Sequence, residues 1–365
     1  MTTTTAERRA ALVDRLTADG HLPDPAWRTA FAQVPRHPFV PYFFTPHRGR
    51  PGWRLVEGDD EWLDAVYSDD ALVTQLDGDD ALADRARGGD PVAGVPTSST
   101  SSPVLMAAML DALEVQPGHR VFEAATGTGY NAALLAHRLG DDHVTSVEVD
   151  LGIAARARTA LHDLGYRPTI RAGDATIGAP EHGPFDRLIA TVAVPTVPGA
   201  WLAQTRPGAV LVVGAQGRVL RQFGGFMPTR RSPEPAAPVI RPALLDQATV
   251  TDVPVEALGG EHPATFFLSV LAPPFRTLGF TPSDGSTGLQ TWGRGLDDST
   301  FVLTEVDGER HVAADGALWD ELEHAYRLWS TYGRPDRTRL GLAVSPTADH
   351  TIWLDHPDHV LRRWG

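Results

Sequence analysis

VFEAATGTGYNAALLA (121–136) decides the reading of this chain: an apolar strand ends in Glu, passes through Ala-Thr-Gly-Thr-Gly and opens a helix. Gly127 and Gly129 let the backbone turn sharply and approach a ligand where a Cβ would obstruct it. Glu148 lies twenty-one residues after Gly127 at the end of the next strand signal, HVTSVEVD (143–150). An acid there accepts hydrogen bonds from both ribose hydroxyls of a nucleotide-like cofactor. Gly173-Asp174 closes a third strand, TIRAGD (169–174), from which a carboxylate meets an adenine amino group. The glycines alone are weak evidence, because a strand-to-helix turn also carries glycines for packing; the two acids at their spacings strengthen it. The same acid serves a dinucleotide, but the loop lacks G-x-G-x-x-G, with Ala at 125 and 132. S-adenosylmethionine, which needs fewer close backbone contacts than a pyrophosphate, fits better.

Outward from the loop, helix and strand signals alternate. Helical spacing in VLMAAMLDAL (104–113), NAALLAHRL (131–139) and LGIAARARTALHDLG (151–165) separates strand-like HRVFEAA (119–125), HVTSVEVD and TIRAGD. FDRLIATVAV (185–194) and AVLVVGAQG (209–217) are β-branched runs suited to strands buried on both faces. The pattern predicts an α/β, doubly wound, Rossmann-like parallel sheet with ligands at the carboxyl ends of its strands. Before it, residues 6–34 read as helix and VPRHPFVP (34–41) ends that helix with three prolines. DGDDALADRARGGDPVAG (77–94) reads as a flexible surface loop; it lacks the closing Glu and central Gly of a calcium loop.

MPTRRSPEPAAPVIRP (227–242), with five prolines in sixteen residues, marks a boundary. Beyond it ATFFLSVLAPPF (264–275) reads as a strand and STFVLTEVDGERHVAA (299–314) as a hairpin turning at Asp307-Gly308. Leu318, Leu322, Ala325, Tyr326 and Trp329 form one helix face, followed by strand-like GLAVS (341–345) and HTIWLD (350–355). The expected organisation is an N-terminal helix and substrate-side segment (1–96), a cofactor-binding core (97–226), a proline-rich linker (227–243) and a smaller α+β C-terminal domain (244–365) that recognises substrate.

Composition narrows the function. With 365 residues, 42% of them hydrophobic, the chain holds more core material than one ordinary domain. A formal charge of −14 repels phosphate backbones and anionic lipids, so neither nucleic acid nor membrane is expected as a partner. The chain has no Cys, which removes disulfides, thiolate metal sites and a Cys nucleophile, and fits a cytoplasmic location. Its 14 His lack ligand spacing, so no metal is expected. The first residues read as a short amphipathic helix rather than a signal peptide.

The sequence resembles the protein-L-isoaspartate O-methyltransferase family. VPRHPFVP (34–41), VYSDDALV (66–73), TSSPVLMAAMLDAL (100–113), PGHRVFEAATGTGYNAALLA (117–136), VTSVEVD (144–150), GDATIGAPEHGPFDRLIATVAVPTVP (173–198) and QTRPGAVLVVGAQG (204–217) carry the resemblance in the family's order. It implies a class I methyltransferase fold with S-adenosylmethionine bound by Glu123, Ala124, Ala125, Thr126, Gly127, Thr128, Gly129, Tyr130, Glu148, Val149, Gly173, Asp174, Ala175 and Thr191. It also implies that Ser101, with Ser102, supplies the active-site hydroxyl, and that Asp69, Asp70, Ser99, Thr100, Val192, Ala193 and Val194 face a peptide or protein substrate bearing Asp or isoaspartate.

Three departures qualify the resemblance. Ala125 replaces the usual first glycine, an Asp/Gly-rich insertion ending in VPTSSTSS (95–102) remodels the segment before Ser101, and the chain continues well past residue 220. That extension, above all residues 318–355, resembles actinobacterial members encoded with ribosomally made peptides such as lanthipeptides, lasso peptides and graspetides. In that branch an ordinary Asp of a constrained peptide is methylated and the ester collapses to aspartimide. The main expectation is therefore peptide maturation, with isoaspartyl repair and a catalytically silent peptide-binding protein as alternatives. Individual residues also have plainer readings: Ser102 before Pro103 suits a helix N-cap, Asp69 and Asp70 suit a turn, and the Trp residues suit core packing. The oligomeric state is left open.

Overall fold

A computed structural model describes residues 4–194, 196–215, 235–259, 262–281, 289–306, 308–345, 347 and 349–364. They divide into two units, the first running to Gly214.

The first unit opens with helices α1 (Thr5–Ala18) and α2 (Pro25–Gln33) in place of the single helix expected over 6–34. Gly20 turns left-handed at φ +79°, the amides of His21 and Leu22 fold back onto the Leu16 carbonyl, and Asp24 caps a new start at Pro25. An antiparallel sheet follows, built from β1 (Phe43–Pro46), β2 (Trp53–Val56), β3 (Leu72–Leu76) and β4 (Pro96–Thr100) in the order β2-β1-β3-β4. Helix α3 (Asp60–Val66) precedes β3, and α4 (Ala81–Arg87) lies between β3 and β4. The flexible loop expected over 77–94 is thus corrected to a segment with a helix at its centre. Leu82, Ala83 and Ala86 share one face of α4 and bury against Phe44, Leu76 and Val92, a small core that overrides the Asp and Gly content.

From α5 (Pro103–Ala112) the alternation expected from sequence appears. Strands β5 (Val121–Ala124), β6 (Val144–Glu148), β7 (Thr169–Ala172), β8 (Phe185–Val194) and β9 (Thr205–Ala215) lie in the order β7-β6-β5-β8-β9. They are connected through α6 (Tyr130–Leu139), α7 (Leu151–Asp163) and α8 (Gly199–Ala203). β5 runs parallel to β6 and β8, and β6 to β7. This is a doubly wound, Rossmann-like α/β fold. The chain steps outward from β5 to β7 and then crosses back to β8, so strand order reverses at β5 and opens a crevice outside the carboxyl ends of β5 and β8. Val121, Phe122, Leu188 and Ile189 are buried, as strands covered on both faces require.

The second unit is the α+β region expected. β10 (Thr249–Val250), β11 (Phe275–Phe280), β12 (Gln290–Gly295), β13 (Thr300–Val306) and β14 (Glu309–Asp315) form an antiparallel sheet in the order β10-β14-β13-β12-β11. A second sheet joins β15 (Leu340–Val344), β16 (His350–Leu354) and β17 (Val360–Trp364). The hairpin expected between β13 and β14 turns through Gly308 at φ +81°; Asp307 lies outside the described residues, as do residues 227–234 of the proline-rich boundary. The strand expected over 264–275 is corrected: Ala264–Leu271 is helix α9, and only from Phe275 does the chain extend into β11. An unbroken apolar run carries no period, but Ala264, Phe267 and Leu268 bury at helical spacing. They pack with Leu318, Trp319, Leu322, Ala325 and Trp329 of helix α10 (Leu318–Thr331) around Phe301 and Val312. No helix among the described residues is long and apolar enough to cross a membrane.

Gly293 of β12 stands opposite Phe301 of β13, where a Cβ would overlap the fully buried Phe301 ring. Gly293→Ala should therefore destabilise the second unit by about 1–3 kcal/mol, seen as an earlier urea unfolding midpoint in tryptophan fluorescence.

Candidate functional site

The backbone after β5 turns left-handed three times, at Ala125 (φ +70°), Gly127 (φ +53°) and Gly129 (φ +90°), for three different reasons. At Ala125 the Cβ costs about 1–2 kcal/mol. The conformation is held by the Ala125 amide on the Val147 carbonyl (3.0 Å) and by the Thr191 hydroxyl, which donates to the Ala125 carbonyl (2.6 Å). At Gly127 the amide donates to Glu148 Oε2 (2.9 Å), and a Cβ would stand 3.7 Å from the Ser99 carbonyl. The loop therefore lies against the end of β4. At Gly129 a Cβ would come within 3.1 Å of Ala157 in α7, so this glycine lets α6 start close to α7. Gly129 and Tyr130, expected in the cofactor pocket, belong instead to packing: the Tyr130 ring is buried beside Phe31 and Phe39. Ala124 is likewise fully buried, whereas Thr128 is half-exposed on the loop.

Two glutamates flank the loop and behave differently. Glu148, at the end of β6, takes the Gly127 amide on one oxygen and the Asp150 amide (3.1 Å) on the other, and each oxygen keeps a second lone pair. Exposed surface adjoins it along the chain. Val149 is 48% exposed, Ile177 is 63% exposed, and a Cβ on exposed Gly173 would meet nothing within 4 Å. Asp174 caps the turn Ala175–Ile177, its Oδ1 accepting the Thr176 amide (3.0 Å) and hydroxyl (2.6 Å). Glu123, by contrast, does not line a pocket: it is wholly buried beneath the loop. Its carboxylate accepts from the Asn131 amide (2.6 Å) and the Ser146 hydroxyl (2.5 Å), and Ser146 bonds the buried Thr126 hydroxyl (2.6 Å). Burial pushes the Glu123 carboxyl up to about 7, against two hydrogen bonds that favour its ionised form. Glu123 and Thr126 brace the loop from below.

Across the loop, one residue that sequence reasoning passed over organises the substrate side. Arg36 is completely buried, and its guanidinium donates to four backbone carbonyls: Val66 (2.7 Å), Ser68 (3.4 Å), Asp70 (3.1 Å) and Ser101 (3.0 Å). Its Nε has no partner among the described residues. Burial lowers its pKa to about 10, so it remains charged at neutral pH. The clamp fixes the Ser101 backbone, while among the described residues nothing hydrogen-bonds the half-buried Ser101 hydroxyl.

Its neighbours are otherwise engaged. Ser102 caps α5 by accepting the Leu105 amide (3.2 Å), the plainer of the two roles expected of it. Asp69 and Asp70, expected at the substrate, are exposed and also bond within the chain. Asp69 accepts the Val104 amide (2.7 Å) and Asp70 accepts the Ser68 hydroxyl (2.8 Å). Thr100, Ala193 and Val194 are buried, and Ser99, Val192 and Thr191 are half-buried around the crevice. A basic residue set among prolines and apolar residues, Arg36, and polar Ser146 and Asn131 inside apolar runs were the signals that could have found these supports.

The residues fit S-adenosylmethionine. A left-handed turn at Gly127, a carboxylate with spare lone pairs at Glu148, and exposed apolar Val149 and Ile177 beside open Gly173 match a sugar hydroxyl pair and an adenine face. Comparison with known proteins points the same way. The family model for protein-L-isoaspartate(D-aspartate) O-methyltransferase matches residues 89–224. A protein-L-isoaspartate O-methyltransferase of Roseiflexus castenholzii is 32% identical over 234 residues, 62% of this chain and 88% of that protein. One from Anaeromyxobacter dehalogenans is 46% identical over 115 residues, 31% of this chain, and the match spans 54% of that relative's length. A solved protein-L-isoaspartate O-methyltransferase shares the fold, with a TM-score of 0.51 at 22% identity over 95% of this chain and 100% of that one.

Glu123 gives a pH test of this architecture. Its folded pKa, about 7, lies above the unfolded carboxylate value. Its contribution to stability is therefore full below the unfolded pKa and is lost as pH rises through 7. Glu123→Gln should flatten the fall in stability between pH 5 and 8 by about 2–4 kcal/mol, measured by chemical denaturation at each pH.

Proposed function

We propose a function on the premise that this chain belongs to the protein-L-isoaspartate O-methyltransferase family: it methylates the free carboxylate of an isoaspartyl residue in a peptide or protein. The observation that carries the reading is the pairing of the loop with β4. The Ser99 carbonyl faces Gly127, and two residues on the Ser101 hydroxyl has no hydrogen-bond partner among the described residues, with its backbone clamped. S-adenosylmethionine, when bound, supplies an electrophilic methyl group on a sulfonium and leaves as S-adenosylhomocysteine.

The substrate carboxylate is already anionic at neutral pH, so no general base is needed. The chain's own residues act by placement and exclusion of water. Glu148 binds the ribose hydroxyls through its remaining lone pairs, Thr191 and Glu123 hold the loop that carries Gly127, and Ser101 donates a hydrogen bond that orients the carboxylate. Arg36 keeps Ser101 in register. The methyl ester is a better electrophile than the carboxylate; the next backbone nitrogen attacks it, methanol leaves, and a succinimide forms without further help from the protein.

A second reading, methylation of an ordinary Asp in a constrained ribosomal peptide, draws on one feature, the α4 insertion that rebuilds the segment ahead of Ser99. The C-terminal extension does not favour it, since a solved protein-L-isoaspartate O-methyltransferase covers 95% of this chain at the level of fold. The repair-type reading has the support of the named relatives.

Mass spectrometry of an isoaspartyl peptide and its constrained L-Asp counterpart, each incubated with enzyme and S-adenosylmethionine, separates the two. We expect a methyl ester on the isoaspartyl peptide; methylation of the L-Asp peptide alone would transfer the enzyme to peptide maturation, and of neither would leave a silent binding protein. Ser101→Ala should lower turnover about 10- to 100-fold without abolishing it, the loss of one hydrogen bond to a charged group. Glu148→Ala should raise the S-adenosylhomocysteine dissociation constant about tenfold or more; unchanged affinity in calorimetry would sink the ribose assignment.

A further inference from the structure

We infer that Gln75 is a positioning residue, tying the substrate-side strand β4 to the carboxylate of Glu148, so that the insertion between β3 and β4 takes part in cofactor binding. This rests on the reading of Glu148 as the ribose acceptor.

Gln75 is 2% exposed, and its amide joins three elements. Nε2 donates to Asp80 Oδ1 (3.1 Å), just before α4, and to Asp150 Oδ2 (3.2 Å), just before α7, while Oε1 accepts the Thr97 hydroxyl of β4 (3.0 Å). Asp150 is thereby fixed on both oxygens, since its Oδ1 caps α7 through the amides of Gly152 (2.9 Å) and Ile153 (3.0 Å). With the side chain held, the Asp150 amide is aimed at Glu148 Oε1 (3.1 Å). The path from β4 to the ribose acceptor runs Thr97, Gln75, Asp150, Glu148.

The chemistry at the middle of this path calls for an amide. Asp80 and Asp150 are like charges brought to one donor, and Arg156 of α7 neutralises them from one side by pairing with Asp80 (2.5 Å). A neutral side chain with two N–H groups and one acceptor satisfies Asp80, Asp150 and Thr97 together; Glu would add a third negative charge, and Met would offer no donor. Asp80 also lies against the start of α7, its Oδ2 3.0 Å from where a Cβ on Gly152 would stand. Thr97 and Asp80 both belong to the stretch where this sequence departs from the family's pattern.

Calorimetric titration with S-adenosylhomocysteine tests the link without turnover. Gln75→Met, with native circular dichroism, should raise the dissociation constant about five- to tenfold, as for one or two lost hydrogen bonds. Its kcat at saturating cofactor and its KM for an isoaspartyl peptide should stay within twofold of wild type. Unchanged affinity in the folded variant overturns the inference, and so does a joint loss in kcat and both KM values, which a merely structural role would give. If Gln75→Met does not fold, Thr97→Val, which removes the hydroxyl donated to Gln75 Oε1, takes its place: two- to threefold weaker binding supports the link and no change overturns it. Failure of the ribose reading itself is read separately, as unchanged affinity in Glu148→Ala.

Discussion

A guanidinium taken out of water has to find its partners where it lies, and both terminal nitrogens of Arg36 find theirs in main-chain carbonyls. Leaving a buried polar group without a partner costs about 1–3 kcal/mol each, so four carbonyls and one cation hold one another in place. Those carbonyls belong to the end of α3, the approach to β3 and the junction of β4 with α5. The start of α5 is then completed by Ser102 and Asp69, each capping one amide. With these segments fixed, Ser101 has a defined position and the end of β4 rests on the glycine loop. The geometry of the candidate site follows from that one buried charge.

The same logic separates the two glutamates. Glu123 stands one residue before the end of β5 and Glu148 at the end of β6, and both are nearly or fully buried. Glu123 meets side-chain donors from α6 and β6 and becomes a brace whose protonation matters to stability; Glu148 meets backbone amides at the rim and retains capacity for a ligand. Residue type alone does not distinguish them. The difference arises from which elements cover each carboxylate.

Much of the sheet was legible in the sequence because parallel strands buried on both faces read as unbroken β-branched runs, and VFEAATGTG places the turn between β5 and α6. The place of Glu148 at the end of β6 was legible from spacing, whereas Ser101, between β4 and α5, was singled out by the resemblance to the family. The misreadings have physical causes. Residues 6–34 keep helical periodicity across Gly20, so the break was carried by one left-handed residue and an aspartate cap. Three apolar side chains of α4 were hidden in an Asp- and Gly-rich stretch, and ATFFLSVL has no period to separate helix from strand. Arg36 and Gln75 were missed because their partners are backbone groups and residues brought near only by folding.

The spacing of the Arg36 contacts along the chain bears on how the protein is made. Its carbonyl partners follow it by 30, 32, 34 and 65 residues. On the ribosome the arginine emerges first and must remain hydrated while α3, β3, the insertion and β4 are synthesised, because burying it earlier would strand a charge. Closure waits for Ser101, so the serine proposed to orient substrate is also the last partner to arrive. Up to that moment the clamp is one carbonyl short, and a translational pause before residue 101 would leave the arginine with three of its four partners.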